Sequence, residues 1–190
     1  MTLTTPLRLL VAAFAILAVA VPVAAAKKSK PIKVSRGATT LALDAGAAAA
    51  LQSLDIAVAP LKPAKAGDDG IAFPVTNGKL DATSYAGKVK HTGGLRFSRG
   101  DTVVDLRNFT IRIDDAPDLT ALVGDSRASI ADLDLSDADI TATKKRLTVA
   151  GVVVELSSTG ATALNQAFGT TAFTDELVLG EATLDTRIKK

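Results

Sequence analysis

His91 and Tyr85 are the two side chains in this sequence best suited to hold a ligand, and each is the only residue of its type. Neutral imidazole and tyrosinate both ligate haem iron. Six positions separate them, or about 20 Å along an unbroken strand, so the two cannot meet one iron from the same side. Either residue alone could serve. The structural alternative is a core histidine with a hydrogen-bonded ring and a tyrosine at the rim of a sheet.

Four aspartates, Asp132, Asp134, Asp137 and Asp139, offer oxygen atoms of the kind that calcium prefers. Their spacing does not match the Asp-x-Asp-x-Asp-Gly loop, and the first two alternate with leucines as residues of a strand do. A solvated strand edge, whose charges deter edge-to-edge pairing, is the favoured interpretation. We therefore predict no metal site.

Motifs for catalysis are absent from the sequence. It contains no Gly-x-Ser-x-Gly, His-Glu-x-x-His or phosphate-loop pattern. With no cysteine and one histidine, it also lacks the ligands of a zinc site. The chain is predicted not to be an enzyme, and a hydrolase that uses a pair of carboxylates is the one enzymatic alternative left open.

The stretch around His91 has the pattern of a strand. Apolar and polar residues alternate from Gly87 to Ser98, which predicts one half-buried strand on which His91 points inward. Further along, the apolar residues change from even to odd positions near Arg107 and Asn108. A slip of one residue reverses every side chain, so a bulge or tight bend is predicted at these two residues.

The remaining elements predict the fold class. Two alanine-rich segments, Ala45–Leu54 after Asp44 and Ser157–Phe168, are predicted as short helices. Asn77-Gly78 predicts a hairpin turn, and Pro60–Gly70 has the composition of a loop. About ten short strands follow from the alternation elsewhere. The sequence thus predicts a mainly β protein, an antiparallel β-sandwich or partly open barrel with two short helices.

Residues 1–26 are predicted to be a signal peptide. Arg8 precedes an apolar run from Leu9 to Val23, and three alanines then precede Lys27. This run is shorter than the roughly 20 residues of a spanning helix, so a membrane anchor is the less favoured alternative. We predict cleavage after Ala26, a secreted or cell-envelope location, and no membrane span after cleavage. Because the chain has no cysteine, neither a lipid-bearing thiol nor a disulfide can form.

Positive charge is concentrated directly after the predicted cleavage point. Five basic residues lie in 27–37. Beyond Gly37 the chain contains sixteen basic and twenty acidic residues. We predict a basic linker at 27–37 and a single β domain at 38–190. The linker is either simply solvated or in contact with anionic envelope polymers or lipid head groups. The acidic domain and its few aromatic residues argue against nucleic-acid binding.

Several segments occur in an order that resembles the HtaA domain of actinobacterial surface proteins. They include Gly87-Lys-Val-Lys-His91-Thr-Gly-Gly-Leu95, Leu106-Arg-Asn-Phe-Thr-Ile-Arg-Ile113 and Leu156-Ser-Ser-Thr-Gly-Ala161. The resemblance covers roughly the last hundred residues at the level of pattern. It implies an exported, β-rich domain that binds haem through a tyrosine supported by a histidine. His91-Thr-Gly-Gly-Leu95 is similar to the histidine motif, whereas the segment where the tyrosine is expected, Ala47–Leu54, contains none.

These observations predict a secreted or cell-envelope binding domain for haem or another small apolar ligand, with His91 and Tyr85 as candidate ligand-binding residues. The alternative is a structural or interaction domain of the envelope that binds no small molecule.

Overall fold

The structure, a computed structural model, describes residues 30–189, which form twelve strands and two helices. The strands are β1 (Ile32–Leu43), β2 (Ala57–Leu61), β3 (Lys65–Gly67), β4 (Gly70–Leu80), β5 (Gly87–His91), β6 (Gly94–Arg99), β7 (Thr102–Ile113), β8 (Asp118–Val123), β9 (Ser126–Asp134), β10 (Asp139–Ala142), β11 (Arg146–Leu156) and β12 (Val178–Lys189). The helices are α1 (Ala45–Ser53) and α2 (Ser158–Phe168). Neither helix is long and apolar enough to cross a membrane.

Eight strands close into an antiparallel barrel in the order β7-β5-β4-β1-β12-β11-β9-β8, because β8 pairs again with β7. The other four strands extend the wall at its margins. The prediction of a mainly β, antiparallel fold with two short helices is confirmed. The finding refines the predicted sandwich or partly open barrel to a closed barrel. Alternation defines strands, but it does not say which edges meet.

The predicted long strand through His91 is divided into β5 and β6, which follow each other along the same side of β7. Gly87 lies opposite Ile113, and Gly94 lies opposite Arg107. Between the two strands Gly93 has φ +86, and a Cβ at this position would lie 2.7 Å from the Ala64 nitrogen. The chain therefore bends at Gly93 without folding back on itself.

Beyond this bend no ladder joins β4 to β6. β5 pairs with β4, whereas β6 pairs with β2, and the first residues of β4 pair with β3. The turn between β2 and β3 covers the space between β4 and β6, and it contributes the buried Ala64. At this place the wall is closed by side chains and a turn rather than by a ladder between β4 and β6.

The bulge predicted at Arg107 and Asn108 is confirmed. The register between β7 and β8 shifts between Arg107 and Thr110, and Asn108 has φ 51. Because of this shift, residues at even positions before the bulge and at odd positions after it face the same interior.

The hairpin predicted at Asn77-Gly78 is wrong, because both residues lie inside β4. Gly78 stands between Val34 of β1 and Val89 of β5. A Cβ at Gly78 would lie 2.7 Å from the Lys88 carbonyl oxygen, so the glycine permits close approach of two strands instead of a turn. The β4–β5 turn falls after Leu80.

The predicted boundary between linker and domain is also wrong. β1 begins at Ile32, and Ile32 and Val34 are buried between exposed polar residues. The high content of lysine concealed this short alternation. The loop predicted at Pro60–Gly70 contains the end of β2 and all of β3. The predicted signal peptide, residues 1–26, lies outside the described residues.

The buried side chains form two clusters that occupy the two ends of the barrel. We name the end covered by the helices the capped end and the other the packed end. The capped end contains Leu51, Phe73, Phe109, Leu156, Leu164, Phe168 and Phe173. The packed end contains Ile32, Val34, Leu80, Val89, Leu147, Leu184 and Ile188.

Capping fixes where both helices begin. The Asp44 carboxylate accepts from the backbone of Gly46 and Ala47 at the start of α1. The Ser157 hydroxyl accepts from Gly160 at the start of α2 and donates to the Ser129 carbonyl of β9. A Cβ at Gly160 would lie 2.3 Å from the Ile130 carbonyl oxygen. This glycine therefore lets α2 lie directly on the barrel wall.

Candidate functional site

An internal cavity of about 70 Å³ lies inside the barrel, toward the capped end. Its wall is formed by strands from around the barrel and by Leu164 of α2, and the atoms that face it are apolar. The bulkiest wall residues include Leu95, Phe97, Leu106, Phe109, Leu156 and Phe73. A space with such a lining stays dry and takes up apolar molecules in preference to water.

His91 is the last residue of β5 and forms part of the cavity wall. Its side chain is 4% exposed, so the prediction that it points inward is confirmed. Its Nε2 atom shares a hydrogen bond of 2.8 Å with the Thr39 hydroxyl of β1. Thr39 also lines the cavity, so a polar pair stands behind an apolar surface.

Burial strongly affects the ionisation of His91. Desolvation lowers its pKa to about 4, and a weaker interaction with the Phe109 backbone acts in the opposite direction. The Phe109 backbone does not form a hydrogen bond with the His91 Nδ1 atom, and this atom has no other partner among the described residues. The imidazole is therefore neutral at pH 7, and one of its nitrogens is left unsatisfied inside the protein.

Tyr85 lies in the turn between β4 and β5, with φ 58. Its half-buried side chain packs against the packed end, and it does not line the cavity. The structure thus does not bring Tyr85 and His91 together at the cavity. Sequence reasoning selected both because imidazole and tyrosinate can ligate haem iron, but the residue type carries no information on which end of the barrel a side chain faces.

The segment that covers the cavity is α2 with the loop that follows it. Asn165 donates to the Phe173 carbonyl at 2.8 Å and accepts from the Phe173 nitrogen at 3.1 Å. The Arg99 guanidinium lies 5.6 Å from the centre of the Phe168 ring. These contacts hold the loop and helix over the barrel mouth and keep Leu164 on the cavity wall.

Sequence reasoning did not single out Phe73 and Phe109, two of the three phenylalanines of the cavity wall. The rings of Phe73 and Phe109 meet edge to face at 5.1 Å, with an interplanar angle of 88°. Only the phase change near Arg107 and Asn108 signals that Phe109 points inward. Phe73 lies in the predicted strand Ile71–Val75, which is part of β4, but the hairpin predicted at Asn77-Gly78 ended that strand too early.

A second, open depression lies beside α1, with a volume of about 430 Å³. Its lining includes Leu43, Ala48, Leu51, Asp55 and Ile56, and it contains no histidine or tyrosine. It therefore offers none of the aromatic ligands that hold haem iron.

The aspartates considered for calcium do not form a site. Asp132 lies opposite Asp118 on one neighbouring strand and Glu155 on the other. Asp134 accepts from the Ser136 nitrogen, and this hydrogen bond lowers its pKa. Within residues 30–189, no group of three or more acidic or histidine side chains is close enough to hold a metal ion.

The most informative electrostatic contact in the barrel wall involves Asp118 of β8. Both of its oxygens accept from Arg112 at 2.5 Å, and one also accepts from Ser129 at 2.8 Å. The hydrogen bond from Arg112 is the main cause of a lowered pKa for Asp118. Three hydrogen bonds from two residues, Arg112 of β7 and Ser129 of β9, tie these strands to β8 through one carboxylate.

Comparison with known proteins identifies the fold. No protein-family model and no curated protein matches the chain. Among solved structures, the C-terminal domain of HtaA from Corynebacterium glutamicum is 16% identical, with a TM-score of 0.64 over 83% of this chain and 99% of that one. The N-terminal domain of the same HtaA is 14% identical, with a TM-score of 0.55 over 83% of this chain and 99% of that domain.

A third similar structure is the heme binding protein HtaB from the same organism. It is 14% identical, with a TM-score of 0.52 over 84% of this chain and 96% of HtaB. The chain therefore has the HtaA-domain-like fold, and the resemblance noted in the sequence is confirmed at the level of the fold.

Proposed function

We propose that the protein is a binding domain of the cell envelope that holds a small apolar ligand, or the apolar end of a longer one, inside the barrel. The observation that carries this proposal is the apolar cavity of about 70 Å³ between the strands and α2. Small eight-stranded barrels commonly hold one small ligand in this position. The fold that the chain shares with HtaB, a heme binding protein, supports a binding role.

His91 has a defined part in this proposal. It presents carbon atoms to the cavity while its Nε2 atom is engaged by Thr39. Because its pKa is lowered to about 4, the ring carries no charge at neutral pH. The cavity wall therefore stays apolar, as an apolar ligand requires. Tyr85, which lies away from the cavity, has no part in holding this ligand.

Haem is the ligand that the comparisons suggest first, and the described residues do not fit it in the closed barrel. Pockets for ligands of that size measure about 300–1,000 Å³, several times the space beside His91. The His91 ring is buried, and its Nε2 atom already has a partner. Tyr85 lies away from the cavity, and the depression beside α1 lacks both residue types.

The proposed location rests on the predicted signal peptide at 1–26. The envelope protein is expected to begin at Lys27, since cleavage after Ala26 removes the apolar run. Amino-terminal sequencing of the protein recovered from the native cell envelope tests this location. Recovery of the uncleaved chain from the cytoplasm would contradict it.

Binding of the apolar ligand is tested by thermal unfolding in the presence of benzene, toluene and indole as probes. A ligand that binds only the folded state raises Tm as its concentration rises. The Leu156→Phe variant fills the cavity from its wall and is expected to abolish the rise in Tm. Leu43→Phe adds the same bulk at an exposed position and is the matched control. If no probe raises Tm, or if Leu156→Phe responds like the parent, the cavity is not a binding site.

Haem binding is tested separately by titrating hemin and following the Soret band of the parent, His91→Ala and Tyr85→Phe proteins. We expect no saturable shift in any of them. A saturable shift in the parent that either variant abolishes would replace the apolar ligand with haem as the function of the domain.

A further inference from the structure

Four lysines form a row across the outer wall of the barrel. Lys33 of β1 lies directly opposite Lys189 of β12 and Lys79 of β4, and Lys79 lies directly opposite Lys88 of β5. Side chains that are directly opposite in neighbouring strands lie on the same face. All four are exposed to solvent. We name this set the lysine row, and it spans roughly 15 Å across four strands.

The arrangement is unfavourable for the isolated protein. Like charges directly opposite each other destabilise a sheet, and here three such pairs follow in succession. The ion pairs formed between described residues include none of the four lysines. β1, β4 and β5 contain no acidic residue at all. The row therefore lacks internal counter-charges on the strands that carry most of it.

Two carboxylates on the Lys79 and Lys88 side of the lysine row already have hydrogen-bond partners. Asp81, just after β4, accepts from the backbone of Thr83 and Ser84 and so organises the turn to β5. Beyond Lys88 the row meets Arg112, whose guanidinium is held by Asp118. Lys88 lies near enough to Asp118 to help lower the pKa of that carboxyl, after the larger contribution from Arg112.

Four exposed aspartates lie together on β9 and in the segment that follows it. Asp132 and Asp134 of β9, with Asp137 and Asp139 beyond them, are all exposed. β9 is separated from β1 by β11 and β12 in the strand order. The lysine row and these four aspartates thus lie on different parts of the barrel wall, although the charge of the whole chain is only +2. Such segregation orients a protein on a charged partner.

We infer that the lysine row is a binding surface for a linear anionic polysaccharide of the cell envelope. Evenly spaced cations in a line match anionic groups that recur along an extended polymer. A lipid surface fits less well, because peripheral membrane binding also uses exposed apolar side chains. The large exposed apolar residues of the described chain, Leu43, Val103 and Ile140, lie outside the row, and Leu43 is at the opposite end of β1 from Lys33.

The test compares two variants of equal charge in binding to polygalacturonate, measured by calorimetry on the purified protein. Lys79→Gln/Lys88→Gln removes the centre and one end of the row. Lys62→Gln/Lys65→Gln removes two exposed lysines at the β2–β3 turn, where Lys65 lies opposite Ala72 near the far end of β4. We expect about tenfold weaker binding for the first variant and parent-like binding for the second, since each lysine beside an anionic array contributes several-fold.

Two outcomes would overturn the inference. Equal weakening by both variants would show that only net charge matters. Binding by the parent to vesicles that contain phosphatidylglycerol but not to polygalacturonate would assign the row to lipid instead. Circular dichroism of both variants establishes that they are folded. Because the row lies on the outer wall, Lys79→Gln/Lys88→Gln is not expected to change the Tm response to apolar probes.

Discussion

The two ends of the barrel are built from the same strands but filled in different ways. At the packed end, branched aliphatic side chains from neighbouring strands meet with almost no exposure. At the capped end, phenylalanines and leucines surround a cavity, and two helices with a loop supply the missing cover. Strand β11 joins both, with Leu147 at one end and Leu156 at the other, each 0% exposed. The packed end holds the barrel together, whereas the capped end keeps an apolar cavity, in which we propose that the ligand binds.

The largest loss of stability is expected when these two leucines are shortened. Leu147→Ala should lower the free energy of unfolding by about 4 kcal/mol, and Leu156→Ala by about 2–3 kcal/mol. Leu156 already borders empty space, so its removal breaks fewer contacts. Urea denaturation of both variants measures the difference. Equal losses would show that the capped end is as tightly filled as the packed end.

The pH dependence of stability should be dominated by the capped end, because the only histidine lies there. The folded pKa of about 4 lies below the ordinary value of 6.5, so the unfolded state binds more protons between these two pH values. The free energy of unfolding should therefore fall by about 3 kcal/mol as pH decreases from 6.5 to 4.

The matching variant is His91→Gln, which keeps an amide to contact Thr39 but cannot titrate. Urea denaturation at several pH values should give a flatter profile for it between pH 6.5 and 4. Loss of stability from the lowered pKa values of Asp118 and Asp134 lies mostly below this window, since it sets in near the ordinary carboxyl pKa of 3.8 and is complete only below the folded pKa of each group. A parent-like slope in the variant would contradict the buried neutral histidine.

Enlarging the same two leucines should give a smaller loss of stability, which arises from crowding and not from a cavity. Leu147→Phe forces extra volume into a filled end and should lower the free energy of unfolding by about 1–3 kcal/mol. Leu156→Phe can extend into the cavity and should change it by less than about 1 kcal/mol. Thermal and urea unfolding distinguish the two. If Leu156→Phe proves the more harmful, the cavity cannot accept added volume.

The smallest expected effect concerns the cover of the capped end. Ser157→Ala removes the cap of α2 and its bond to β9, which should lower stability by about 1 kcal/mol. Hydrogen exchange should become faster at the amides of α2 while those of β1 and β12 at the packed end stay protected. Uniform acceleration in all elements would mean that the two ends unfold together.

The sequence predicted the elements better than their assembly. Alternation identified the strand through His91 and the change of phase at Arg107 and Asn108, since both depend on local geometry. The turn signal at Asn77-Gly78 was misleading. A glycine that lets a neighbouring strand come close cannot be told from one that permits a turn by the residues beside it. Closure of the barrel depends on the pairing of β7 with β8, which no local pattern encodes.

The site was predicted only in part for a related reason. The inward direction of His91 follows from its place in an alternating strand, and its burial follows in turn. The cavity beside it depends on side chains from distant strands and on Leu164 of α2, which meet only after folding. The position of Tyr85 could not be read from its distance to His91 in the sequence, because the β4–β5 turn places it with the packed end.

The absence of a ladder between β4 and β6 beyond His91 has a consequence for the stiffness of the barrel wall. At this place β2 is paired with β6 and β3 with β4, so the turn that contains the buried Ala64 links the two parts of the wall. The Gly93 bend lies against this turn, since a Cβ at Gly93 would be 2.7 Å from the Ala64 nitrogen. Added bulk at either residue would therefore push the two parts of the wall away from each other, close to His91.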